Sequence, residues 1–217
     1  MVDRLTLELR KALVTDQETK NTLAALKAGF AGALSDPKAM QTLLGPLNTA
    51  IQRALKLDPP IPLRVALQNA NSPEQTGTYL HPEAGADVKP QLEIYLAPRV
   101  RAANTDIRAA MLAGSSQADA ANAAMQTFLD DLLGTLVEEN VHALQHQSAD
   151  RFERAPGEFP ASERTRLADY VLNRSAMIDP VDLTAFFGSE ALYLGQPFEA
   201  DAKRVRKIIV KELSPKP

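Results

Sequence analysis

The chain contains no cysteine and no tryptophan. Without cysteine there are no disulfides, no thiolate metal ligands and no nucleophilic thiol. Without tryptophan, and with only four Tyr and seven Phe in 217 residues, an aromatic carbohydrate-binding platform is not expected. Neither sign of charge dominates. The formal net charge is −3, so the basic footprint of a nucleic-acid-binding surface is missing. No apolar run approaches the roughly 18 uncharged residues that a membrane-crossing helix requires. The opening ten residues, Met1 to Arg10, are broken by Asp3, Arg4, Glu8 and Arg10, which leaves no apolar core for a secretory signal. The expectation is a protein of the cytosol, or one exported without a cleaved signal peptide. Histidine is scarce as well, with His81, His142 and His146 the only three.

What remains is the composition of a soluble globular protein, 45% hydrophobic and 24% charged. Its length suits one good-sized core or two small lobes. Residues 3–57 read as helical. Thr15-Asp16-Gln17-Glu18 resembles a capping box, and Leu23, Leu26, Phe30 and Leu34 follow at helical spacing. Ser35-Asp36-Pro37 breaks that helix and starts another, with Pro37 suited to a first turn. Leu43, Leu44, Leu47, Ile51 and Leu55 carry the second apolar stripe. No residue in this stretch offers chemistry, so residues 1–57 are expected to form an N-terminal helical lobe packed on the rest of the chain.

Helical periodicity stops at Asp58-Pro59-Pro60-Ile61-Pro62. Leu63 to Leu67 then alternates as a strand, and Gly77 to Leu80 and Leu92 to Leu96 read as two more. The segments between them, rich in Asn, Pro, Gly and Ala, read as loops. Arg101 to Leu112 is expected to be a helix, and Gly114-Ser115-Ser116 a turn. From Gln117 a helical face runs through Ala121, Ala124, Phe128, Leu132, Thr135 and Glu139 to about Gln147, with a kink allowed near Gly134. Phe152 to Pro160 reads as a loop, Thr165 to Asn173 as a helix, and Ile178-Asp179-Pro180 as a break. A last helix opens at Pro197. Its basic stretch, Lys203 to Lys211, reads as a solvated face with Val205, Ile208 and Ile209 turned inward. The fold class expected is therefore α+β and mainly helical: a three-stranded sheet followed by one long helix, with residues 58–217 forming the second domain.

The long helix ends in Thr-Leu-Val-Glu-Glu-Asn-Val-His-Ala-Leu-Gln-His-Gln, residues 135–147. Residues four apart lie one turn apart on the same helix face. Glu138 and His142 can thus present an oxygen and a nitrogen to one metal ion, or make an ordinary surface pair. His142 and His146 have the same spacing, but Ala143 then occupies the position next to the first ligand. The Glu-x-x-His spacing of Glu139 and His142 also occurs in di-iron helical bundles. That architecture requires a second Glu-x-x-His, and neither His81 nor His146 has a Glu three residues before it.

This stretch resembles the active-site helix of the zincin metallopeptidases, whose signature is His-Glu-x-x-His. Glu139 and His142 match its Glu and second His, and Glu138 stands where the first His would be. Ala143 and Gln145 also fall where such helices often carry those residues. The resemblance extends to the order of elements, since zincin sheets commonly include a Gly-x-Tyr strand and a Leu-x-Ile-x-Leu strand ahead of the motif helix. Downstream, Tyr193 to Ala202 is similar to the Tyr-x-x-x-Pro-x-Glu-x-x-Ala segment of gluzincin-like proteases and related bacterial toxin-like proteins.

The resemblance implies a Zn²⁺ ion held by Glu138, His142 and Glu199. It implies Glu139 as general base on the water that attacks a peptide carbonyl, with Tyr193 or Tyr170 as candidate oxyanion donors. The function implied is peptide-bond hydrolysis on a protein or peptide substrate, in an effector or toxin setting. The departure at Glu138 leaves a second expectation open. The same scaffold, catalytically inactive, would serve as a binding module for a protein partner. A two-Glu, one-His set is more anionic and less zinc-selective than the usual one.

Overall fold

The computed structural model describes residues 2–81, 89–175 and 195–213. Their helices are α1 (Val2–Arg10), α2 (Gln17–Ala33), α3 (Pro37–Leu55), α4 (Ala97–Leu112), α5 (Gln117–Arg154), α6 (Ala161–Ser175) and α7 (Pro197–Leu213). One sheet contains β1 (Leu63–Ala66), β2 (Gly77–Leu80) and β3 (Gln91–Tyr95). The mainly helical α+β class read from the sequence is the architecture observed. The expected break at Ile178 to Pro180 lies outside the described residues.

Local chemistry accounts for most element ends. Asp16, rather than Thr15, caps α2: its carboxylate accepts from the Thr19 backbone N–H at 2.8 Å, the bond that chiefly holds its pKa below the usual carboxylate value. The Thr15 hydroxyl instead donates to the Lys11 carbonyl at 2.7 Å, which also accepts the Asp16 N–H that closes a wide π-type turn over Lys11–Thr15. Thus the anticipated capping box is replaced by a single-residue cap one position later. Asp36 caps α3 through the N–H groups of Lys38 and Ala39, with Pro37 opening the helix as expected. Helix α4 begins at Ala97, four residues before the sequence-based start, because Pro98 favours a first turn.

The sheet order is β1-β3-β2, with β1 parallel and β2 antiparallel to the central β3. Two glutamines fasten the proline-rich segment that leads into it. Gln52 of α3 bonds both the N–H and the C=O of Ile61 at 3.0 and 2.7 Å. Gln147 of α5 accepts from Asp58 N–H at 3.1 Å and donates to the Pro59 carbonyl at 2.8 Å. These side chains supply partners for backbone that no helix or strand ladder serves.

Helix α5 organises the molecule. It runs for 38 residues, unbroken through Gly134 and seven residues beyond the expected end, and packs on α3, α4, α6, α7 and two strands. Residues 132–141 are buried in succession, so this stretch is enclosed on every side rather than amphipathic. Leu5, Leu9 and Leu13, the α3 stripe, Leu92 and Ile94 of β3, Leu132 and Leu136 of α5, and Val205 and Ile209 of α7 belong to one continuous core. Ile208, expected to face inward, is only half-buried. A smaller cluster unites Ala149, Leu167, Tyr170 and Phe198.

Enclosure makes partners valuable to the polar residues of α5, and Asn140 and Thr135 find them. Asn140 donates to Asn48 Oδ1 and to the Leu136 carbonyl, both at 2.8 Å. Thr135 accepts from the buried Arg99 guanidinium, which also donates to the Thr76 and Tyr95 carbonyls at 2.6 Å. The same crowding fixes Gly77 at the start of β2. A Cβ there would overlap Thr135 Cγ2 and lie 3.2 Å from Glu139 Oε1 and from the Glu93 carbonyl. Gly77→Ala is therefore expected to destabilise the protein by about 1–3 kcal/mol, measured by urea unfolding. An unchanged midpoint would show that β2 does not press on α5 this closely.

Candidate metal centre

Glu138 and His142 project from successive turns of α5, and Glu199 from the first turn of α7. One donor atom from each lies within 4.8 Å of the other two, and among the described residues they form the one such group of three. His142 Nε2 is 3.5 Å from Glu199 Oε1. Two ligands of a tetrahedral zinc ion at the usual bond lengths stand roughly 3.4 Å apart, so this edge already has the required length. The donor types, one imidazole and two carboxylates, suit Zn²⁺ and also harder ions such as Mn²⁺. The group therefore fits a divalent ion.

A neighbouring side chain orients the imidazole. His142 Nδ1 lies 2.9 Å from Gln145 Oε1, while Gln145 Nε2 donates to the Phe198 carbonyl at 3.0 Å. Because the amide N–H is committed to Phe198, its oxygen must accept, which places the imidazole proton on Nδ1. Nε2 is the ring nitrogen left facing Glu199. Gln145 is fully buried and ties the residue before Glu199 to the helix carrying His142, the arrangement expected of a group that positions metal ligands.

Glu139 has a different environment. It is 8% exposed, lines the same cleft as Glu138, His142, Glu199 and Gly77, and accepts no hydrogen bond from the described residues. Burial raises its carboxyl to about 7; His142 and Lys203 oppose the rise, while Glu138 and Glu199 add to it. A buried carboxylate left without donors is costly. Such a group beside a cleft is a candidate proton acceptor.

Glu138 is held by two cations whose sequence pattern suggested a solvated face. Lys203 Nζ donates to its Oε1 at 2.8 Å and Arg206 Nη1 to its Oε2 at 2.6 Å. Burial alone would raise the Glu138 carboxyl, but these two groups outweigh it and hold it below the usual range. Arg206 also pairs with Asp131, which pairs in turn with Arg99 at 2.6 Å. The available sequence signal was spacing: Lys203 follows Glu199 by four residues and so shares its helix face.

The remaining candidates do not join the donor group, although His146 lines the same cleft. His146 stacks on His81 with ring centroids 4.2 Å apart and packs against Tyr79 and Phe198, outside the donor group. Tyr170 is buried below the site, its hydroxyl donating to Asp201 at 2.6 Å, and it does not line the cleft. Tyr193 lies outside the described residues. Tyr79 of β2 borders the cleft instead.

His146 makes stability depend on pH. Burial, reinforced by His81, His142 and Arg174, lowers its pKa from 6.5 to about 2. His81 is shifted down too, by burial and Arg174, with Asp150 opposing. A histidine kept neutral in the folded state contributes fully above pH 6.5, and this contribution is lost as the pH falls toward 2. Between pH 7 and pH 5 the protonation of His146 in the unfolded chain should lower stability by about 2 kcal/mol. His146→Phe should flatten this part of the urea-derived stability profile. An equally steep decline in the variant would remove His146 as its source.

No known family model, curated protein or solved structure matches the chain. On its own geometry the molecule is a mainly helical α+β protein with a buried Glu-His-Glu group that can bind a metal ion.

Proposed function

We propose that this protein is a zincin-like metallopeptidase in which Glu138, His142 and Glu199 hold Zn²⁺ and Glu139 is the general base. The observation that carries the proposal is the meeting of three donors from two helices beside a third carboxylate, Glu139, with no hydrogen-bonding partner among the described residues. When bound, the ion would supply Lewis-acid polarisation of the scissile carbonyl and lower the pKa of water. Glu139, its pKa raised by burial, accepts the proton of the attacking water and delivers it to the leaving amine. Gln145 keeps the His142 ring turned toward Glu199. Strand β2 lies at the edge of the described sheet and borders the cleft, so an extended peptide can add beside it through main-chain hydrogen bonds. An effector or toxin setting follows only from the resemblance of the motif segments.

The test begins with elemental analysis of protein purified without a histidine tag, followed by cleavage of casein, an unstructured substrate. One equivalent of zinc and zinc-dependent cleavage support the proposal; metal-free, inactive protein after zinc reconstitution refutes it. His142→Ala is expected to abolish zinc binding, whereas His146→Ala should bind within about threefold of wild type. Equal losses would move the ligand pair to His142 and His146, a site without an adjacent base.

One observation favours the second function, an inactive scaffold kept as a binding module. Lys203 and Arg206 already satisfy both oxygens of Glu138, so charge at this position is balanced without a metal. In that case the fold persists on its protein-borne ion pairs, and zinc changes neither stability nor activity.

A further inference from the structure

Glu138, Glu139 and Glu199 are all buried along one cleft. Carboxylates gathered in this way require positive charge beside them. Helix α7 supplies two cations, and their attachments differ. Arg206 is anchored twice, on Glu138 and on Asp131. Lys203 has no ion pair outside the cluster among the described residues, and its side chain is 40% exposed.

Lys203 Nζ lies 2.8 Å from Glu138 Oε1 and 4.0 Å from Glu199 Oε2. It therefore bridges the two carboxylates that the donor group offers from opposite helices. An ammonium is a compact charge on a flexible stem, and here it neutralises the same two carboxylates that would bind a divalent ion, touching Glu138 Oε1 and lying beside Glu199 Oε2. The stem also has somewhere to go. Lys203 lines both the cleft and an adjoining groove between α5 and α7, which Thr127 and Lys207 border.

We propose that Lys203 is the resident counter-cation of this site and swings into the adjoining groove when a divalent ion enters, so that metal occupancy is set by competition with the lysine. This inference rests on the metal-centre proposal above. It makes the site self-limiting: trace metal leaves the lysine in place, and only a sufficient free-ion concentration displaces it.

The experiment is isothermal titration of chelator-stripped protein with Zn²⁺, and separately with Mn²⁺, for wild type, Lys203→Met and Lys207→Met. Methionine keeps most of the stem and removes the charge; Lys207→Met makes the same charge change one turn away. Lys203→Met should bind Zn²⁺ roughly tenfold more tightly than wild type, and Lys207→Met within about threefold. Binding by Lys203→Met but not by wild type also supports the inference, as the case in which the lysine prevails. Wild-type binding that Lys203→Met weakens or leaves unchanged overturns the role of Lys203 while the metal centre stands. No binding in any of the three proteins overturns both. A readout on the wild type avoids reliance on a folded variant. Zn²⁺ should increase acetic-anhydride labelling of Lys203 relative to Lys207, read by peptide mass spectrometry, and metal binding without that increase refutes displacement.

Discussion

Glu139→Gln should reduce cleavage of casein by roughly 10²–10⁴-fold, the range attributed to a positioned general base, while zinc binding stays near wild type. Glutamine preserves the size of the side chain and removes its ability to take a proton. The substitution should also stabilise the protein, an effect that does not depend on activity. A carboxyl raised from 4.5 to about 7 by burial contributes stability that is present below pH 4.5 and lost as the pH rises through 7. In chelator at pH 8 the ionised Glu139 should therefore cost about 3 kcal/mol relative to a neutral group. The difference between variant and wild type should grow from pH 5 to pH 8, opposite to the trend from His146. Full activity in Glu139→Gln would remove Glu139 as the base. A stability difference that does not change with pH would mean that Glu139 is better solvated than its surroundings indicate.

Glu138→His recreates the full His-Glu-x-x-His signature, and the sequence alone would make it a simple gain. The tertiary structure adds a penalty. The substitution removes the carboxylate on which Lys203 and Arg206 converge and sets an imidazole against two cations. Leaving part of a buried ion network unpaired costs several kcal/mol. With both cations partly solvated and Arg206 retaining Asp131, the loss in chelator should be nearer 2 kcal/mol. Saturating Zn²⁺ should recover it, because a ligand that binds only the folded state stabilises it. Two neutral imidazole ligands and one carboxylate also make a stronger Lewis acid of zinc, so casein cleavage should rise above wild type. A variant as stable as wild type in chelator would show that the ion pairs on Glu138 contribute little. A fully active wild type weakened by Glu138→His would identify Glu138 as an adapted ligand.

Much of the fold was legible because it is written in local signals. Pro37 after Asp36 marks the start of α3, the run from Asp58 to Pro62 ends helical periodicity, and the alternation in Leu92 to Leu96 marks the central strand. Errors gathered at boundaries, where several side chains compete for the same backbone groups. Asp16 prevailed over Thr15 as a cap because Thr15 was already bonded to Lys11. Helix α5 runs on to Arg154 because Ala149 and Phe152 continue its inward face, packed with Leu167, Tyr170 and Phe198 of helices that the local pattern does not show.

The candidate site divides in the same way. The one-turn spacing of Glu138 and His142 follows from helix geometry, and residue identity alone restricted histidine chemistry to three positions. What only the tertiary structure decided is which distant groups meet that face. Glu199 arrives because α7 packs along α5, and Gln145 holds the two helices in register through Phe198. Lys203 and Arg206 come with α7, since they share its inner face. Periodicity within a helix says which residues move together, but not which neighbour they will face. Desolvation also belongs to the assembled molecule, because the same Glu-Glu pair in an isolated helix would remain hydrated. Only packing from α7 and β2 leaves Glu138 bound to two cations and Glu139 raised to about 7.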